Sequence, residues 1–458
     1  MVSSQYLLGL LQSLLLLTSL RSVICSDDDD LLTYKLSNGI HIPLVGAGIG
    51  NLQHELIPQV MNANLMPSQD IRLIDTAHSS NNEQILSQAL ASFDATRHAQ
   101  TRGGSRGESV IHVVTKVWYT HLGYERTKIS VKESLSLLES KSPRKVYVHM
   151  LLHWPRCNDE IEWMNCEEEE HNLPQYVKDA GPPPHLERQA WKDSWRALED
   201  MYKDHSDERL NTNAAFDKPI IASIGVSNFG MEDMIELIEF ADIRPHLYQG
   251  NAWIIFHDPF LMNFLRNHDI FFQSYAVMAG ILKRRQHSPS AFHILSTLSQ
   301  ELTETIQYVS FDNVTRVSEA TLLLAYLVKS NIGIIPRAAA TAHQQENSPS
   351  SIKAVIEHFT PDHIDKLERA IPALMKGEDL FTSVTFTNAL GSAILIHWMH
   401  PETNEEVIVS DLVHPGNVEV QKSHPGHKFV TYDSEEKVRK EFVVGAGYGE
   451  EQHFRVEL

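Results

Sequence analysis

One recurrence constrains this chain more than any other feature. Apolar runs of strand length return between Leu44 and Arg337 as LVGAGIG, IRLIDTA, VIHVVTKV, VYVHMLLHW, IIASIGVS, HLYQGNAW, IFFQSYAV and IGIIPR. Segments of helical length and period, such as ISVKESLSLLES and SEATLLLAYLVKS, lie between most of them. Strands that are apolar almost throughout bury both faces, as in a parallel sheet covered by helices. Such strands in alternation with helices predict an α/β fold, a closed (β/α)8 TIM barrel. Ahead of it, YKLSNGIHIP sets Asn38-Gly39 between two short alternating segments and predicts a hairpin with a type I′ turn.

The rhythm changes twice. From Arg156 to Lys218 Glu, Pro and His accumulate around Pro182-Pro183-Pro184, which reads as a long loop over the barrel mouth containing the helix-like AWKDSWRALEDMY. Beyond Asp379 the helical period gives way to SVTFTN, AILIHWM, EVIVSDL, KFVTYD, EFVVGA and HFRVEL, short runs parted by turn residues. That pattern predicts a small antiparallel β-sandwich. The expected organisation is a leader over residues 1–26, a barrel over 31–376 and a sandwich over 380–458.

The formal net charge is −20, and the acidic runs Asp27 to Asp30 and Glu167 to Glu170 are unbroken. A nucleic-acid partner or an anionic membrane surface is therefore disfavoured. The first residues, MVSSQYLLGLLQSLLLLTSLRSVICS, read as a secretory signal peptide cut near Cys25 or Ser26, with a membrane anchor as the alternative. No later segment is long and apolar enough to span a bilayer. The mature chain is thus expected in the ER lumen or secreted, where Asn313-Val314-Thr315 is a glycosylation acceptor. Cys157 and Cys166 then remain, close together in one polar loop, either paired or as free thiols. Neither has a CxxC partner and the histidines lack the spacing of zinc ligands, so no metal is expected.

In a β/α barrel the chemistry sits at the carboxyl ends of the strands. Read there, the polar residues are Asp75, Lys116, His153, Ser227 with Asn228, Gln249, Tyr275 and Arg337. Each alone is compatible with a capped strand or a solvated loop. Together, with IDTA…NNE, TKVW, LLHWP, SWRALEDMY before IGVSNF, and IIPR followed by Glu346 and Asn347, they resemble the aldo-keto reductases from about Leu36 to Ala373.

The resemblance implies NADP(H) as cofactor and a small aldehyde or ketone as substrate. Asp75, Lys116 and His153 would surround the carbonyl. Ser227, Asn228 and Gln249 would hold the carboxamide of a nicotinamide stacked on Tyr275. Arg337 would meet the 2′-phosphate, and Glu346 with Asn347 the adenine. His343 stands where the family has an arginine, Ala338 where it has a hydroxyl residue, and no Thr-Trp follows VGAGIG. These departures imply weakened cofactor affinity.

One departure bears on the reaction itself. Five residues after Asp75, where the family has a proton-donating tyrosine, stands Ser80. A serine hydroxyl is shorter and far less acidic than a phenol, and general acid catalysis is worth about 10²–10⁴-fold. Two substitutes for the tyrosine are conceivable, a protonated His153 or a movement of His78 over the mouth. The alternatives are thus a weak reductase and an inactive pseudoenzyme serving as a secretory-pathway scaffold.

The last eighty or so residues, in FTNALGSAILIHWMHPETNEE…LVHPGNVEVQKSHPGHKF, resemble the β domain of the von Hippel-Lindau protein. The resemblance implies a protein partner carrying hydroxyproline, gripped by Ser423 and His427. Ser410 and Phe429 replace a tyrosine and a tryptophan of that pocket. The plainer expectation is a packed sandwich with Trp398 in its core.

Overall fold

The computed structural model describes residues 32–100, 110–139, 144–205, 218–254, 258–278, 281, 285–309, 316–401, 403–434 and 438–457. The expected leader and the Asn313 acceptor lie outside them. Two compact units divide the chain: one holds the described residues up to Val277 together with Leu323–Glu357, the other Met278–Leu322 with His358–Leu458.

In the first unit a hairpin, β1 (Thr33–Lys35) and β2 (His41–Pro43), pairs Lys35 with His41. Its turn is not type I′, which requires left-handed φ at both central residues. Only Gly39 is left-handed (φ 88°), and its N–H donates to Leu36 O at 2.8 Å. Asn38 sends its side chain inward, donating to Ala222 O at 2.8 Å and to the Tyr202 hydroxyl at 3.0 Å.

The barrel follows as β3 (Ala47–Gly48), β4 (Leu73–Asp75), β5 (Ile111–Val117), β6 (Val146–Leu152), β7 (Ile220–Ser227), β8 (Leu247–Asn251), β9 (Phe271–Tyr275) and β10 (Gly333–Ile334). All neighbours pair in parallel and in chain order. A bridge between Val45 and Ile334 closes the ring. Every residue of β5 and β7 is buried, which explains their near-continuous apolar sequence. At Gly225 a Cβ would stand 2.1 Å from Leu247 O, so only glycine lets β7 and β8 approach. Outside the strands, Ala190–Asp204 buries Trp191, Trp195, Leu198 and Tyr202, one apolar stripe at helical spacing.

In the second unit Pro289–Val309 packs against Pro361–Lys376. Thr360 caps the latter helix, and left-handed Gly377 ends it. Ser288 Oγ donates to Ala373 O at 3.2 Å, and Ser290 N to Asp379 Oδ1 at 3.0 Å. The sandwich comprises β11 (Thr382–Asn388), β12 (Ile394–Met399), β13 (Glu406–Val413), β14 (Val418–Ser423), β15 (Lys428–Asp433), β16 (Arg439–Val443) and β17 (Glu451–Val456). They form two sheets, ordered β14-β11-β17 and β13-β12-β15-β16. Phe386 centres the core, with the rings of Phe429, Phe454 and Phe442 at 5.2, 5.4 and 5.8 Å.

Two features of the sandwich also depart from expectation. β17 runs parallel to β11, and Trp398 is half-buried at the rim of the core. Among the described residues no helix is long and apolar enough to cross a membrane.

Candidate active site

β4 delivers Asp75 to the barrel mouth and β5 delivers Lys116, both buried. Lys116 Nζ donates to Asp75 Oδ1 at 2.7 Å and to Thr76 O at 2.6 Å. Gln249, on β8, donates to the same carboxylate oxygen at 2.7 Å and to Gln273 Oε1 at 2.8 Å. The buried pair is thus enclosed by further hydrogen bonds, the condition under which such a pair persists. An ammonium has three donors, and two of those on Lys116 are engaged here.

His153 follows β6 with its ring edge-on to Trp118, centroids 4.8 Å apart. Burial first, and the Lys116 ammonium second, hold its pKa well below the usual histidine value. Both causes disfavour the imidazolium, which weighs against the protonated His153 considered above as a substitute acid. Its Nδ1 is buried and has no partner among the described residues. His78 is engaged elsewhere, its Nε2 2.9 Å from Glu133 Oε2.

Ser80 ends the short turn His78–Ser80 and is partly exposed. Its N–H donates to Ala77 O at 2.9 Å, its carbonyl lies 3.2 Å from His54 Nε2, and Asn81 turns the chain left-handed at φ 50°. The turn is firmly held; only the side chain is short. Beneath it, Asn82 donates to Ile49 O at 3.1 Å and accepts from Thr76 Oγ1. Glu83 accepts from Thr115 Oγ1 at 2.6 Å, and burial raises its pKa. The NNE run is therefore scaffolding for the mouth.

On the cofactor side, Asn228 is left-handed (φ 59°) and donates to Ser227 Oγ and His153 O, both at 3.1 Å. Its Oδ1 accepts from Tyr275 OH at 2.5 Å, and burial pushes that phenol up to about 12. The structure thus brings Asp75, Lys116 and Gln249 into one network and His153, Ser227, Asn228 and Tyr275 into another. Arg337 is exposed beyond β10, and His343, Glu346 and Asn347 follow on or after the helix Thr341–Glu346. These four lie outside both networks as the bonds above define them.

Sequence reasoning missed Gln273, Thr76, Trp118 and Glu169. Thr76 and Trp118 lay inside the quoted runs IDTA and TKVW without a role of their own, and Gln273 had a signal as a polar residue inside the apolar run IFFQSYAV. Glu169 belongs to the acidic run read only as charge. Its carboxylate accepts from Trp118 Nε1 at 2.6 Å and from Tyr119 OH, while Glu170 accepts twice from Arg126 at 2.8 and 2.9 Å. Cys157 and Cys166 are joined as a disulfide in the same loop, resolving the open alternative. Together these bonds fasten the loop beside the mouth. Between them lies an open groove of 840 Å³ lined by His78, Asn81, Trp118, Glu133, Glu169 and Tyr176 among others.

The aldo/keto reductase family model matches residues 59–371. The 9,11-endoperoxide prostaglandin H2 reductase of Trypanosoma cruzi (strain CL Brener) is 23% identical over 319 residues, covering 68% of this chain and 83% of that protein. Glyoxal reductase of Bacillus subtilis (strain 168) is 26% identical over 223 residues, covering 47% and 56%. A crystal structure of an aldo-keto reductase complexed with NADPH is 19% identical with a TM-score of 0.50, covering 76% of this chain and 88% of its own, a likeness of fold. With that family match spanning well over half of the chain and laid upon a closed parallel barrel, this protein belongs to the aldo/keto reductase family.

Proposed function

We propose that the barrel binds NADP(H) across its mouth and reduces a small aldehyde or ketone, slowly, because Ser80 replaces the proton donor. The observation that carries this reading is the buried Lys116–Asp75 pair beside a neutral His153 with an unpartnered Nδ1. An unpaired buried nitrogen costs about 1–3 kcal/mol, which a bound polar ligand would relieve. Membership of the family and the reductase names of its relatives support the same reading.

The residues present fit the cofactor. Both N–H bonds of the Gln249 amide are engaged, leaving its carbonyl oxygen to accept from a carboxamide, while Ser227 accepts from Asn228 and keeps its own O–H to donate. Arg337 is exposed beyond β10 with no hydrogen bond or ion pair among the described residues, as a 2′-phosphate contact requires. When bound, NADPH would supply a hydride. Lys116 polarises the acceptor oxygen, His153 orients it through a neutral N–H, and water or Ser80 completes the proton transfer. The apolar leader and the disulfide support a luminal or secreted mature chain.

A second reading, a pseudoenzyme scaffold, is favoured by Ser80 and by the added sandwich. There Ser423 Oγ lies 3.2 Å from His427 Nδ1, which also accepts from Trp398 Nε1 at 3.1 Å. Burial first and His424 second lower the His427 pKa, so this patch is neutral and polar. On this reading it contacts a protein partner bearing hydroxyproline.

The discriminating assay follows NADPH loss by the purified mature chain with a panel of small aldehydes and ketones. The first reading expects slow turnover that Lys116→Met abolishes. Cofactor binding without turnover on any carbonyl would instead select the scaffold.

A further inference from the structure

The groove beside the mouth contains a constellation that the reductase reading does not use. His78 comes from the turn after β4, His121 from the turn Tyr119–His121 after β5, and Glu133 from the helix Tyr124–Leu138. One nitrogen of each imidazole and one carboxylate oxygen all lie within 4.8 Å of one another. His78 Nε2 and Glu133 Oε2 are 2.9 Å apart, and the two rings meet edge-on at 4.9 Å and 65°. We propose that His78, His121 and Glu133 bind a divalent cation of the zinc class, with one coordination position open to the groove.

The donor set is the first argument. Two imidazoles and a carboxylate match zinc and its first-row neighbours and not the all-oxygen shells of magnesium or calcium. Three protein ligands with a fourth position left for water or substrate is the arrangement of catalytic zinc, not structural zinc.

Distances are the second. Tetrahedral ligands at about 2.1 Å stand about 3.4 Å apart. The His78–Glu133 pair must open by about half an ångström, and the widest span must close by at most about 1.4 Å, which side-chain rotation supplies.

Supporting contacts are the third, since metal ligands are normally oriented by outer hydrogen bonds. Tyr176 OH donates to Glu133 Oε1 at 2.6 Å, fixing the carboxylate with its other oxygen toward His78. Thr120 Oγ1 lies 3.1 Å from His121 Nδ1, which leaves Nε2 of that ring as the ligand atom. Thr127 Oγ1 holds the His121 carbonyl at 3.0 Å.

The other convergent group among the described residues, Cys157, Asp159 and Cys166, has both sulfurs in the disulfide and offers no comparable site. The proposal does not rest on NADP(H) binding. It does place an electrophile two residues from Ser80, in the turn that lacks the phenol. Spacing along the sequence concealed it, because the ligands come from three separate segments.

The test uses the untagged mature chain, stripped with chelator and titrated with Zn²⁺ by calorimetry and with Co²⁺ by visible absorption. We expect one ion per chain and a tetrahedral cobalt spectrum, with no comparable response to Mg²⁺. Tyr176→Phe, at an exposed position, should weaken binding about 10–100-fold. Glu133→Gln and His78→Asn, both only partly buried, should weaken it at least as much. Because His121 is buried, its variant is read only alongside a circular dichroism spectrum matching that of the parent. The proposal is overturned if no stoichiometric ion binds in the micromolar range, or if an ion binds and the Glu133 and His78 variants hold it unchanged.

Discussion

Ser80→Tyr should raise carbonyl turnover with NADPH. The turn at Ser80 is already fixed by Ala77 O, by His54 and by left-handed Asn81, so the new side chain inherits a set Cα position. The serine oxygen faces Gly50, 3.5 Å from the position a Cβ there would take, so the absent side chain of Gly50 leaves that flank unobstructed by a Cβ. Lys116 engages two of its three donors with Asp75 and Thr76, and the third is available to a phenol. General acid catalysis is worth about 10²–10⁴-fold, and imperfect seating of a ring in a turn evolved around serine removes part of it. We therefore expect about a 10- to 1,000-fold gain in kcat, read as NADPH consumption at saturating aldehyde. Adding Lys116→Met should erase the gain, because the phenol loses the ammonium that makes it acidic. The reasoning fails if Ser80→Tyr leaves kcat unchanged while His153→Ala abolishes the parent activity, since the neutral imidazole would then be the acid after all.

Three further outcomes follow from the same geometry. Asp75→Ala should cost about 3–5 kcal/mol of unfolding free energy by stranding the buried Lys116 ammonium, with Asp75→Ala/Lys116→Met recovering much of it in urea titrations. Burial holds His112 at about 3 and His121 at about 4, and drives His149 and His153 well below their usual value, so all four are neutral when folded. Below about pH 6.5 the unfolded chain binds more protons than the folded one, and stability falls by about 1.4 kcal/mol per pH unit for each histidine. A urea midpoint unchanged between about pH 7.5 and about pH 5 would contradict this. Reducing Cys157–Cys166 should lower stability by about 2.5 kcal/mol on loop-entropy grounds and raise protease sensitivity between Arg156 and Gln189, measured by limited digestion with and without reductant.

The barrel was legible because its strands bury both faces, and each polar strand end marks where the chain leaves the apolar layer. The resemblance set Asp75 and Lys116 around one carbonyl, and the structure places them in contact. The turn type of the hairpin was not legible, because Asn38 is recruited by Ala222 and Tyr202, which are distant in sequence. β14 escaped notice because VEVQKS exposes Val418 and Val420 at a sheet edge and carries no buried stripe. Glu169 and Glu170 looked like solvated charge, since only the folded chain brings Trp118 and Arg126 to them. The neutrality of His153 is likewise a consequence of burial next to Lys116, which no local sequence pattern encodes.

Calorimetric titration of the purified protein with NADPH tests the central claim most directly. The account predicts one NADPH per chain and a preference over NADH that Arg337→Ala removes, a loss of about 10- to 150-fold if the guanidinium–phosphate contact contributes about 1.5–3 kcal/mol. Absence of binding at millimolar NADPH would contradict it, leaving the buried Asp75–Lys116 pair as a structural element of an inert barrel.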